Sequence, residues 1–315
     1  MQKDDDAPMS KRLGVLAAIT GTSIFGFSFM FSRIALSVAS PYVMLMYRFV
    51  LAFLLLNAVV AVLRLTGAKQ SADARVHWLR FSLRGRNVRP LVVLGLVQPV
   101  VYFLCESYGI SLTNATFSGV IIALSPIVGL ALGALFLREM PTKAQVAFSL
   151  LSISGVILMT LQQSSEGVVQ PLGVVLLVLA VLSGTTYNLL SRKAARFSAL
   201  EQTYVMMLVA AVVFTALAIW DCRGDWRMLI APAASLPFML SALYLSVFSS
   251  NIAFLALNYA NAVLPVARVT SFCNLTTVIS LFAGVIFLHE PFGWIPLLAS
   301  LIIIAGVWGV QRSAP

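Results

Sequence analysis

The sequence predicts an all-α polytopic membrane protein: ten transmembrane helices, arranged as two inverted five-helix repeats. Three observations predict it. Of 315 residues, 60% are hydrophobic and only 10% charged, against about 25% charged in a soluble domain. The apolar residues fall into ten runs, each near the length of about 20 residues that a helix needs to cross the hydrocarbon core. The second half of the chain also echoes the first. A water-soluble globule of this size cannot hide so much apolar side chain, which excludes a soluble enzyme, a nucleic-acid binder and a disordered scaffold.

Residues 1–12, MQKDDDAPMSKR, are polar and read as a cytoplasmic tail. The apolar run after them is too long for the core of a cleavable signal peptide, so it is taken as the first span. That span covers Leu13–Phe31, and the second covers Tyr42–Leu63 and contains Arg48. The third, Pro90–Ile110, carries Gln98, Tyr102 and Glu106; the fourth, Ala115–Leu137, is expected to kink at Pro126. The fifth and sixth cover Ala144–Leu161 and Pro171–Leu190, and the seventh Gln202–Trp220. Pro237–Leu257, Val263–Leu288 and Phe292–Val310 complete the set. Outer-membrane strands are a poor alternative, because uninterrupted apolar runs lack their alternation. Connections are short except for 64–89, and none is long enough for a separate soluble domain. Within that loop Arg75–Arg84 interleaves basic and apolar residues. It reads as a solvated topology anchor or as a short helix on the inner leaflet.

The net charge of +10 follows from orientation rather than from a nucleic-acid partner. With a cytoplasmic N-terminus, sixteen of the 21 basic residues fall in inner segments and only Arg223 and Arg227 in outer loops. Arg33, Arg48 and Arg268 lie in or at the ends of spans. The positive-inside rule then places both termini in the cytoplasm.

Displacing the chain by 151 residues aligns 108–158 with 259–309 without a gap and gives twelve identities in 51 positions. Gly133/Gly284, Glu139/Glu290 and Gly155/Gly306 are the informative ones. Each half holds five spans. Five is odd, so the second half enters the membrane from the opposite side, which is the inverted-repeat plan of secondary transporters.

Phe25–Gly26–Phe27–Ser28 in the first span, Arg48 in the second and Phe136–Leu137–Arg138–Glu139 closing the fourth resemble the EamA domain of the drug/metabolite transporter (DMT) superfamily. The ending recurs as Phe287–Leu288–His289–Glu290–Pro291, whereas the sixth span has Ser183–Gly–Thr–Thr–Tyr–Asn188 in place of the Phe-Gly signature. The resemblance covers two tandem repeats, 13–161 and 171–310. It implies a ten-helix proton-coupled or exchange-type carrier, often exporting amino acids or other small metabolites. A multidrug or cationic-compound exporter of the same superfamily is the alternative.

Candidate functional residues follow from polarity in an apolar medium. Glu106 is an intramembrane carboxylate and a functional-site hypothesis by default. It reads either as a substrate or proton site or as half of a buried ion pair with Arg48, which lies at a matching depth. Arg268 would bind a substrate carboxylate or snorkel to the interface. Gln98, Tyr102, Asn188, Asn251, Asn258 and Asn274 would line a cavity or bond helix to helix. Gly133 and Gly284 read as close packing contacts. Glu139 and Glu290 read as gate carboxylates or as anions bonded to the N-terminus of the next helix. Cys105, Cys222 and Cys273 form neither a disulfide framework nor a zinc site, and His289 has no second histidine near it for a metal. No cofactor is expected. No phosphate-binding loop, clustered catalytic set or selectivity-filter motif stands in the chain, which disfavours an ATP-driven pump, an intramembrane enzyme and a channel. The expected partners are a small-molecule substrate, the lipid bilayer and protons, with no nucleic acid. A bacterial inner (plasma) membrane is the expected location, with the protein as a monomer or homodimer.

Overall fold

The computed structural model describes residues 6–65, 81–132, 142–165, 167, 169–264, 269, 272–290 and 293–313. Among them there is no strand. The long helices are α1 (Asp6–Leu36), α2 (Pro41–Leu65), α3 (Arg89–Ser111), α4 (Ala115–Leu132) and α5 (Lys143–Ser165). They are followed by α6 (Pro171–Lys193), α7 (Ala199–Cys222), α8 (Leu236–Val263), α9 (Cys273–Phe287) and α10 (Trp294–Arg312). The first eight contain stretches long and apolar enough to cross a membrane; the apolar parts of α9 and α10 are shorter, at Leu275–Phe287 and Trp294–Val310. A 23-residue helix such as α6 is about 34 Å long at 1.5 Å per residue, enough for a hydrocarbon core of about 30 Å.

Helix ends depart from hydropathy boundaries because backbone hydrogen bonding, not side-chain apolarity, ends a helix. Val263, predicted to begin the ninth span, is the last residue of α8, and Leu264 N–H still reaches the Ala260 carbonyl at 2.8 Å. Several ends are fixed by caps. Asn114 accepts from Phe117 N–H at the start of α4, and Ser235 from Phe238 N–H at the start of α8. Ser198 and Glu201 form a reciprocal capping box on α7.

Three helices are irregular within the bundle. α4 is interrupted at Ala123–Leu124, between Ala115–Ile122 and Ser125–Leu132, immediately before Pro126. α3 contains a π-helical segment, Leu96–Val101, with Gln98 in an extended conformation (φ −143°, ψ 119°), and α8 contains another, Leu245–Ala253. Non-helical backbone at membrane depth is tolerated only where protein buries it or a cavity satisfies it.

Helices pair across the two halves of the chain: α5 with α10, α2 with α7, and α4 with α9, while α1 lies on α8 and α3 on α6. The α5–α10 contact is reciprocal in detail. A Cβ on Gly155 would meet Ile303 and the Ala299 carbonyl, and one on Gly306 would meet Ser152 and the Phe148 carbonyl. Adding 151 to 148, 152 and 155 returns 299, 303 and 306. Phe49, Phe103, Phe214 and Phe254 fill the largest apolar cluster, whereas Leu150, Ile157, Leu161 and Val212 are exposed outward, as lipid-facing residues are.

Of the predicted amphipathic segment Arg75–Arg84, residues 75–80 lie outside the described residues, and 81–84 are not helical. The chain instead docks on α7. Ser82 N–H and Arg86 bond Glu201 at 2.7 and 3.0 Å, Arg86 also reaches the Arg196 carbonyl at 2.6 Å, and Phe81 packs edge-on against Tyr204. Here two backbone amides and a guanidinium satisfy a buried carboxylate.

Candidate functional site

A cavity of about 70 Å³ lies between the halves, walled by α1, α3 and α4 on one side and α6, α8 and α9 on the other. It has room for a few water molecules. Phe25, Phe29, Val181 and Leu257 give it apolar surface; Thr22, Gln98, Tyr102, Ser125, Tyr187, Asn188 and Thr276 give it polar groups.

The α3 irregularity sets one wall. Gln98 leaves helical geometry and is buried on the cavity, with its carboxamide oxygen unpartnered. Ser183 Oγ on α6 donates to the Val97 carbonyl at 2.6 Å and ties the irregular turn to the opposite half. Gly184, one residue on, leaves the space in front of Tyr102 and Gln98 open. One turn further along α3, Tyr102 is both a cavity residue and the hydrogen-bond partner of Glu106. Glu106 is almost fully buried and stands behind Tyr102 rather than on the wall.

Arg48 and Glu106 are within electrostatic reach, but among the described residues the one salt bridge joins Arg86 and Glu201. Arg48 is fully buried, and α8 holds it. Its Nε donates to Ser250 Oγ at 2.9 Å and its Nη2 to Ser249 Oγ at 2.6 Å. The guanidinium lies 3.9 Å from the centre of the Phe103 ring, a cation–π contact, and its Nη1 has no hydrogen-bond partner. The π segment of α8 supplies both serines, and Ser246 and Asn251 from the same segment donate to the Arg48 and Ala52 carbonyls of α2. Serines score as nearly neutral in hydropathy, so Ser249 and Ser250 carried no signal in the sequence as partners of Arg48. The Ser-Ser-Asn triplet inside an apolar run was the only available hint.

Asn258 is the centre of a buried network. Tyr187 Oη and Ser191 Oγ approach its Oδ1 at 2.7 and 2.9 Å, and its Nδ2 donates to Thr203 Oγ1 at 3.0 Å. It therefore bonds α6, α7 and α8 to one another, and its side chain is spent on that. Gln202 joins the network through Ser191 and the Ala194 and Phe197 carbonyls. Asn188 lines the cavity and accepts from Asn261 Nδ2 at 3.0 Å. Asn251 is the bond to α2 already described.

Among the described residues Glu290 bonds the N-terminus of α4, rather than that of the next helix, α10. Its two carboxylate oxygens accept from Ala115 N–H and Thr116 N–H, each at 2.8 Å. The cause is the α4–α9 packing, which brings the end of one helix onto the start of the other across the halves. Small residues permit the approach: a Cβ on Gly119 would run into Ser280, and one on Gly284 into Thr116 Oγ1, with Glu290 Oε2 2.7 Å away. Gly133, Glu139, Arg268 and the Asn274 side chain lie outside the described residues.

The profile of the EamA-like transporter family matches residues 12–161 and 171–312. The chain is 30% identical over 298 residues to the uncharacterized transporter YcxC of Bacillus subtilis (strain 168), covering 93% of this chain and 91% of that one. It is 27% identical over 229 residues to a probable terminal-alkyne amino-acid exporter of Streptantibioticus cattleyicolor, covering 73% and 75% respectively. A crystal structure with 16% sequence identity superimposes with a TM-score of 0.66 over 94% of this chain and 96% of that one, a likeness of fold.

Proposed function

The chain belongs to the EamA-like transporter family, and from that premise we propose that it is a secondary-active exporter of amino acids or similar small metabolites. It works by alternating access around the central cavity. The observation that carries this reading is the composition of the cavity wall. Numbered by position in each half, α1, α3 and α4 correspond to α6, α8 and α9, so the wall is made of the same three helices from each half. Two features support the inverted relation of 13–161 and 171–310: the reciprocal Gly155 and Gly306 contacts, and the π segments at matching places in α3 and α8. Near-equivalent halves of opposite orientation give two packings of similar energy, and rocking between them exposes one cavity to each side in turn. In this reading the basic-residue asymmetry puts both termini of this integral membrane protein on the cytoplasmic side, and the membrane is a bacterial plasma membrane.

Glu106 is the proton-coupling candidate in this reading, because Tyr102 connects it to the cavity. Arg48 holds the α2–α8 seam, and its Nη1 has no hydrogen-bond partner. The cationic-drug alternative calls for an anionic wall; among the described wall residues none is acidic, which favours the metabolite reading. The name of the Streptantibioticus cattleyicolor relative points the same way. The test is substrate-panel counterflow in proteoliposomes, with and without a proton gradient. Exchange of small metabolites that responds to the gradient supports the reading, and exchange confined to organic cations removes it.

A further inference from the structure

Among the described residues that line the cavity, Gln98 alone carries a buried side-chain polar atom without a hydrogen-bond partner. The residue is 4% exposed. Desolvating an amide without replacing its bonds to water is unfavourable, and unmatched groups of this kind in native proteins mark a missing partner or a working role. The backbone is also irregular at this position. Gln98 has left helical geometry inside a membrane span, and the turn is braced from α6 by Ser183. Such breaks in transporters occur where chain lines a binding cavity.

Opposite Gln98 stands Gly184. A Cβ there would lie 3.7 Å from the carboxamide oxygen and 3.1 Å from a ring carbon of Tyr102, so any larger residue would narrow the space beside the amide. The described wall holds hydroxyl, amide, aromatic and aliphatic groups and no Asp, Glu, Lys or Arg. A net charge placed there would be desolvated without a counter-charge.

We propose that Gln98 is the cargo-recognising residue of this cavity. Its carboxamide oxygen, enclosed in the conformation described, accepts a hydrogen bond from an N–H or O–H group of a net-neutral small molecule as the cavity opens, and Gly184 sets the size of the group that fits beside it. The assignment rests on the transporter reading above and adds the substrate class and the residues that select it.

The experiment is counterflow in proteoliposomes with radiolabelled glycine, L-alanine, L-leucine and L-phenylalanine, and with L-lysine, L-glutamate and tetraphenylphosphonium as charged comparators. Wild type is expected to exchange at least one net-neutral probe. Gln98→Met keeps length and bulk but removes the amide, and should raise the KM for that probe about tenfold, the order expected for the loss of one hydrogen bond, at unchanged detergent melting temperature. Gln98→Asn, which withdraws the amide by one methylene, should raise KM as well. Gly184→Ala should lower flux of larger probes more than smaller ones. An unchanged KM in both Gln98 variants overturns the proposal, and so does a joint fall of kcat and melting temperature at constant KM, which is the mark of a structural role. Wild-type exchange of charged comparators alone overturns the net-neutral class while leaving a transporter. No exchange of any probe, with or without a proton gradient, overturns the transporter reading together with the proposal.

Discussion

Replacing Glu290 by Gln tests whether the carboxylate clasps the two halves. In the structure it receives two backbone N–H groups at the positive end of α4, Ala115 and Thr116, at 2.8 Å each. A hydrogen bond to a charged acceptor contributes about 1.5–3 kcal/mol, and the helix dipole adds up to about 1 kcal/mol for an anion at an exposed N-terminus. A carboxamide keeps one acceptor and turns an NH₂ toward the other donor, so one bond and the charge are lost. Discounting for partial exposure at the bundle end, the expected cost is about 2 kcal/mol. Gly284 shares this contact and so tests coupling to it. Its Cβ would meet Thr116 Oγ1 and lie 2.7 Å from Glu290 Oε2, so Gly284→Ala disturbs the same contact. The two changes share a partner, and their combination should cost less than their sum. The assay is detergent melting of wild type, both single variants and the double variant. Wild-type melting in Glu290→Gln, or full additivity in the double variant, would refute the clasp.

Three further outcomes are expected. Glu106→Gln should lower melting only slightly, because Arg48 stays on Ser249, Ser250 and Phe103; Arg48→Gln should cost about 3 kcal/mol, since it strips two buried serines and leaves a void over the ring. A larger loss in Glu106→Gln would show that the two form the pair the structure lacks, while lost flux in a stable Glu106→Gln protein would identify it as the coupling group. Gly155→Leu and Gly306→Leu should each reduce folded protein to a similar degree, because they face equivalent surfaces; normal abundance of both in membranes counts against the reciprocal seam. Reporter fusions after Gln70 and Ser164 should read cytoplasm and exterior, and equal or reversed signals would remove the inverted plan.

The sequence by itself marked the membrane as the medium, the apolar runs and a likeness between the two halves of the chain. Apolar runs of membrane length are a local property of the chain, and the 151-residue displacement is visible in Gly155, Gly306, Glu139 and Glu290 without any contact being known. It also marked Arg48, Glu106 and Tyr102, because polar groups stand out against apolar neighbours. Pairing was decided only by the tertiary structure. Depth along two helices made Arg48 and Glu106 look like partners, but a helix places side chains around a full turn, and azimuth is set by packing. Packing turned Arg48 onto two serines of α8, turned Asn258 into a three-helix knot, and carried Glu290 to α4 in place of α10. The break of α3 at Gln98 did have a local signal, since Gln98 precedes Pro99 and a proline pushes the residue before it toward extended backbone; the brace from Ser183 in the other half was hidden. These contacts join residues 55 to 202 positions apart, and no local pattern in the chain encodes them.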